Sequence, residues 1–313
     1  MTTPASARQV TPQPSAQKAA TARHALGTAW LIAVLRTARP RQWPKNLLVF
    51  AAPLAGDTFG RRDGLGYALV AAAAFGCASV AVYFVNDVVD AERDRRHPRK
   101  RFRPVAAGDL PKSHAVALGA ACAVAGLSAG LAISVPLLTL AVGVYMGMSF
   151  LYSAFLKHIP VVELIFVASG FLLRVLGGAA ATRVPPSGWF LLVCSLGALG
   201  VAIAKRYTEL TGLGEAAIRH RPVMRFYRPV PLMVGQWMVG ALMISAYLAW
   251  AIGESPSAQG WHLLSAIPLA GALFRFDVLT ARRTTAPVED LLTRDGIMLA
   301  CEAGWLALFV AGL

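Results

Sequence analysis

Acidic side chains are scarce in this chain: its 313 residues hold 16 Asp and Glu against 30 Lys and Arg, and charged residues of both signs make up only 15%. So little charge, beside 56% hydrophobic residues and a mean hydropathy of +0.55, excludes an ordinary soluble globule and points to a membrane protein. Cysteine is equally sparse. Cys77, Cys122, Cys194 and Cys301 show no CxxC and no Cys/His spacing, which excludes a disulfide framework and a zinc site and leaves them as packing residues. The net charge of +14 is scattered over short loops instead of being gathered in a basic domain. That excludes nucleic acid as the partner and suits membrane lipid headgroups and phosphorylated substrates. An apolar core of signal-peptide type is also missing from residues 1–27, which read as a disordered cytoplasmic tail before a transmembrane domain over 28–313.

Long uncharged runs are what the sequence has in abundance. Stretches at 43–58, 66–86, 114–136, 137–156, 159–181, 186–204, 229–252, 262–280 and 296–313 predict an all-α membrane protein of nine spans. The first is short and contains Pro53, so it can be tilted, kinked or preceded by an interfacial segment at Trp30 to Leu35. With the N-terminus on the cytoplasmic side, 26 of the 30 basic residues fall on that side, and the other side keeps only Arg61, Arg62 and Arg183. This asymmetry fixes the expected orientation.

The few acids are concentrated where one run ends. YALVAAAAFGCASVAVYFV is followed by NDVVDAERD and then RRHPRK. Asn86, Asp90 and Asp94 are spaced i, i+4, i+8, and Asp87 lies three residues before Asp90, so on a helix all four share roughly one face. Carboxylates so placed repel one another unless a hard cation sits among them, and a set with open ligand positions suits Mg²⁺. Arg95, Arg96, His97, Arg99, Lys100, Arg101 and Arg103 stand ready to hold an anion beside it. The pattern reads as a Mg²⁺-diphosphate site, against the blander reading of a solvated, charge-mixed loop.

Three further clusters share the predicted cytoplasmic side. RPRQWPKN carries Arg41 and Lys45 before the first span, and LYSAFLKHIPVVE sets Tyr152 and Lys157 around a turn with Glu163 opening the next span. AKRYTEL holds Lys205, Arg206 and Glu209, where Lys205 and Glu209 are i, i+4 partners. Each alone reads as a positive-inside residue or a helix-surface ion pair, but short loops let them close one cavity. Arg174 lies at mid-span, where a cation is expensive. It projects from the same face as Glu163, and either lines a polar cavity near a lipid phosphate or pairs with an acid such as Glu302.

Together these motifs resemble the UbiA superfamily of intramembrane prenyltransferases, with NDVVDAERDRRHPRKRFRP standing as its first aspartate-rich motif, over nearly all of residues 36–313. The resemblance implies a nine-helix bundle with a Mg²⁺-diphosphate site at the cytoplasmic face of the plasma membrane. Members that use prenyl diphosphates carry a second aspartate-rich motif, where this chain has Lys205, Arg206 and Glu209. The likeness is therefore to the branch that transfers 5-phosphoribosyl from 5-phosphoribosyl 1-diphosphate to polyprenyl (decaprenyl) phosphate, a step toward cell-wall arabinan donors. It implies Mg²⁺ on Asp87, Asp90 and Asp94, with Asn86, Asp87 and Asp90 catalytic. Donor phosphates would fall to Arg41, Lys45, His97, Lys100, Arg101, Arg103, Lys157, Lys205 and Arg206. Tyr152, Glu163, Arg174 and Glu209 would line the substrate site. A homo-oligomer is compatible with this pattern. Two alternatives stand beside it: prenyl transfer to an aromatic acceptor, which needs more acids in 205–228 than Glu209 and Glu215, and a transporter with Arg174, Glu163 and Glu302 along a polar path.

Overall fold

The computed structural model describes residues 16–56, 58, 63–97, 100–253, 256–282 and 288–313, and among them every regular element is a helix. Arg61, Arg62, Arg99 and residues 1–15 of the expected tail lie outside the described residues. The long helices are α1 (Ala16–Ala38), α2 (Gly64–Val89), α3 (Lys112–Ala132), α4 (Pro136–Ala154) and α5 (Val162–Thr182). They continue with α6 (Gly188–Leu213), α7 (Pro229–Gly253), α8 (Pro256–Ala281) and α9 (Gly296–Ala311). Seven helices, α2 to α8, are long and apolar enough to cross a membrane, while Gly27–Ala38 and α9 are shorter apolar helices. The expected tail boundary at residue 27 falls inside α1.

The expected first span, 43–58, is not a membrane-length helix. It is a 3₁₀ helix, Pro40–Phe50, followed by a single turn at Ala51–Ala55. Pro44 and Pro53 each remove a backbone donor and crowd the preceding turn, which disfavours a regular α-helix through this stretch. A shorter apolar helix, Gly27–Ala38, precedes it over the Trp30 to Leu35 segment.

The chain divides into two compact units, residues 1–41 with 83–119, and residues 42–82 with 120–313. In the smaller unit, α1 ends where Arg39 takes a left-handed φ of 52° and Pro40 follows. The end of α2 leads into a short helix, Ala91–Arg95, a turn at Lys100–Phe102 and another short helix, Pro104–Ala107, which packs against α1. In the larger unit α4 to α9 pack each against the next. Its main core joins Ala71, Phe75 and Ala78 of α2 to Leu138, Val142 and Tyr145 of α4.

Two adjacent glycines make the closest approach in that unit. A Cβ on Gly178 would stand 1.8 Å from the Val49 carbonyl oxygen, and one on Gly177 would stand 2.2 Å from the Phe75 ring. Only hydrogen fits there, so α5 lies directly against the 3₁₀ helix. Gly178→Ala should therefore destabilise the protein by about 1–3 kcal/mol, measured as a fall in thermal midpoint in detergent. Gly240→Ala, with open space beyond its Cα, is the control and should leave the midpoint unchanged or raise it.

Candidate active site

The acidic motif keeps helical register past the end of α2. The Asp90 N–H donates to the Asn86 carbonyl at 2.9 Å and the Asp94 N–H to the Asp90 carbonyl at 2.8 Å, across the turn at residue 90. Asp87 and Asp94, two turns apart, are buried at 2% and 1% exposure. Arg103 joins them, its Nη1 lying 3.2 Å from Asp87 Oδ1 and 2.8 Å from Asp94 Oδ2. Arg39, aimed by its left-handed backbone, closes on the same Asp87 oxygen and lies over the Tyr83 ring. Asp90 is half-buried and bonded by Arg93 at 2.6 Å, and Asn86 is half-buried beside it.

The basic segment folds back over these acids. Pro104 fixes the first turn of its helix and holds Arg103 extended ahead of it, while Gly108 closes the other end in a left-handed conformation. Lys100 donates its backbone N–H to His97 Nδ1 at 3.2 Å, and Arg95 Nε reaches the Ala106 carbonyl at 3.2 Å. Burial, and then the neighbouring Arg103 charge, hold the Lys100 amine below its ordinary range. An anion placed there relieves both effects. Arg101 is exposed and lies over Phe102, and Arg41 is exposed.

Among the described residues no three His, Cys, Asp or Glu side chains gather closely enough to hold a metal ion. The geometry supplies two buried carboxylates under one guanidinium, and Asp94 Oδ1 is buried without a hydrogen-bond partner. That hard-oxygen set fits Mg²⁺, which takes one or two carboxylates and completes its shell with water and phosphate.

The larger unit holds two more polar clusters. Glu163 is fully buried and accepts from Arg206 Nε at 2.5 Å and from Arg221 Nη1 at 3.3 Å. Tyr152 Oη accepts from Arg221 at 3.1 Å and lies 3.4 Å from Glu163. Glu209 is bonded by Arg206 at 2.9 Å, an i, i+3 pair, whereas Lys205 lies over the Phe171 ring. Arg206 thus takes the place on Glu209 that the i, i+4 spacing suggested for Lys205. Lys157 is half-buried in the turn before α5, and Lys45 is bonded to Gln42. Val161, a β-branched residue at φ 64°, opens α5, and its N–H donates to the Tyr227 hydroxyl at 3.0 Å. Burial pushes the Tyr227 phenol above its ordinary range.

Arg174 is buried, as its shared face with Glu163 predicts, and its partners are all neutral. Asn46 Oδ1 accepts at 2.8 Å, the Gly170 carbonyl at 2.6 Å, and Ser79 Oγ and Tyr145 Oη each at 3.0 Å. The Tyr145 ring lies under the guanidinium at 4.5 Å. Glu302 is not among these partners, so the pairing considered for it is not the one the fold makes. Asn46, Ser79, Tyr145 and Arg221 are the residues that sequence reasoning missed. Asn46 alone stood in a motif already singled out, RPRQWPKN.

Residues 46–292 match the UbiA prenyltransferase family. Over 278 residues the chain is 36% identical to decaprenyl-phosphate phosphoribosyltransferase of Mycobacterium tuberculosis, covering 88% of this chain and 92% of that protein. Identity to the Corynebacterium glutamicum protein of the same name is 33% over 282 residues, covering 87% and 84%. A UbiA homolog from Archaeoglobus fulgidus, solved bound to GPP and Mg²⁺, superposes with a TM-score of 0.69 at 16% identity, over 88% of this chain and 99% of that one. This last likeness is one of fold. From a family match over most of its length, and full-length relatives at this identity, it follows that the chain belongs to the UbiA prenyltransferase family.

Proposed function

We propose that this chain transfers 5-phosphoribosyl from 5-phosphoribosyl 1-diphosphate to a polyprenyl phosphate such as decaprenyl phosphate, releasing diphosphate. The observation that carries the reading is identity of 36% over 88% of the chain to a decaprenyl-phosphate phosphoribosyltransferase. Beside it stands the Arg206–Glu163–Arg221 cluster, where diphosphate-using prenyltransferases carry a second set of aspartates. Cations there suit a donor with an extra 5-phosphate.

Asp87 and Asp94, with Asp90 at the rim and Asn86 as a neutral oxygen, would hold Mg²⁺. When bound, that ion supplies positive charge to the departing diphosphate. The chain's own residues do the rest. Arg103, Lys100, Arg101, His97 and Arg41 are candidates to grip donor phosphate, as are Lys45, Lys157, Lys205 and Arg206. Tyr152, Glu163, Arg174 and Glu209 set the polar lining toward substrate. The C1–O bond to diphosphate breaks as a lipid phosphate oxygen forms the new bond from the opposite face, with inversion. The acceptor is already an anion, so no side chain has to remove a proton.

The domain is residues 28–313, set in the plasma membrane as nine spans, of which 43–58 is the first and α9 the last. The N-terminus and the acidic motif face the cytoplasm, as the basic loops require. The product is a polyprenyl-phosphoryl 5-phosphoribose, a precursor of cell-wall arabinan donors.

Two outcomes test this reading. Membranes containing the chain, given labelled 5-phosphoribosyl 1-diphosphate and polyprenyl phosphate, should form a labelled lipid, and exhaustive chelation should stop it; label moving only from prenyl diphosphate to a phenolic acid would overturn the assignment. Asp87→Ala and Asp90→Ala should each lower turnover more than about a hundredfold while the protein still elutes as a folded species. Retained turnover in either variant removes that residue from the metal site.

A further inference from the structure

A cavity lies on the far side of α6 from the charged cluster. Arg206 and Glu209 project from one face of α6, and Ala204 and Tyr207 from the roughly opposite one. On that opposite face α6, α7 and α8 enclose a cavity of about 690 Å³, a size that takes a small ligand or a length of lipid chain. Its walls are apolar over most of their extent, with Trp237, Ile244, Leu273 and Phe274 among them. Trp237 and Phe274 are 52% and 72% exposed on helices long and apolar enough to cross a membrane, so the cavity opens toward the bilayer.

One end of this apolar trough is polar. Gln236 is 7% exposed and shares the cavity wall with Asp277, and its Oε1 is buried without a partner. Among the described residues no cation pairs with Asp277, which stands at this end of the cavity with the neutral Gln236. Asp277 lies four residues from the end of α8 and Gln236 seven from the start of α7. At 1.5 Å per residue both stand about 6–11 Å inside the helix ends, close to the depth of lipid headgroups. From Gln236 the apolar part runs on past Gly240 to Ser245, about 14 Å along α7.

We propose that this cavity binds an amine-headed phospholipid, with the ammonium on Asp277 and Gln236 and an acyl chain along α7. Acceptors with no cation at the interfacial end of a bilayer-facing apolar trough select a positively charged donor head over an anionic one. A lipid carrying a hydroxyl in place of the amine satisfies the hydrogen bonds and leaves the carboxylate charge unanswered.

The test uses the full chain in nanodiscs with trace phosphatidylethanolamine, phosphatidylglycerol or diacylglycerol of identical chains, each bearing a photoreactive diazirine in its tail. After irradiation, labelled peptides are mapped by mass spectrometry. Phosphatidylethanolamine should label 237–245 and 270–274 about tenfold more than phosphatidylglycerol, the ratio expected of one charge-assisted hydrogen bond. Asp277→Asn should bring the two to parity. Gly240→Leu, at a position where an added Cβ meets nothing within 4 Å, should block labelling while sparing the polar pair, which keeps the proposal testable if the Asp277 variant fails to fold. Equal labelling by phosphatidylglycerol, preference for diacylglycerol, or an undiminished amine preference in Asp277→Asn overturns it. None of these readouts depends on transferase activity.

Discussion

A guanidinium carries five N–H donors and a fixed charge, and once withdrawn from water each unanswered donor costs free energy. In a chain with so few acids, much of the fold is arranged to answer such groups. Arg103 draws the loop after α2 back so that one nitrogen reaches both Asp87 and Asp94. Arg206 spans Glu163 and Glu209, and Arg221 reaches Glu163 from beyond the end of α6. Arg174 gathers a carbonyl, an amide and two hydroxyls from four separate segments. Removing one member of such a set strands its partner in a low dielectric, which is why these clusters tie distant parts of the sequence together.

The small residues serve the same end. Gly177 and Gly178 bring α5 against Phe75 and the Val49 backbone. That closeness places Asn46 and Ser79 within reach of a side chain projecting from α5. Replacing either glycine moves the helix away and lengthens hydrogen bonds that the buried Arg174 cannot find elsewhere.

How much of this was legible follows from what sequence encodes locally. Spans α2 to α8 were readable because an uncharged run is a property of consecutive residues. The departure of 43–58 from a regular α-helix also has a local cause, in Pro44 and Pro53, each of which removes a backbone donor. The aspartate stripe was readable from spacing, and its register holds to Asp94. Its division was not: Asp87 and Asp94 turn inward to Arg103 while Asp90 turns to Arg93. Arg221 and Asn46 were invisible because their partners lie 58 and 128 residues away, and a lone arginine in a basic loop or a lone asparagine near a tryptophan carries no mark of such a contact.

The turn into α5 carries mechanical meaning. Val161 sits where a β-branched residue is strained by about 1–3 kcal/mol, held by a bond from its amide to the phenol of Tyr227. The segment carrying Tyr227 also carries Arg221, which grips Glu163 two residues on from that amide. The connector before α5 and the connector before α7 are thus latched at two points, one strained and one charged. Moving either connector without the other would break the Val161–Tyr227 bond and leave the buried Glu163 carboxylate short of a cation, so the two are held to one another.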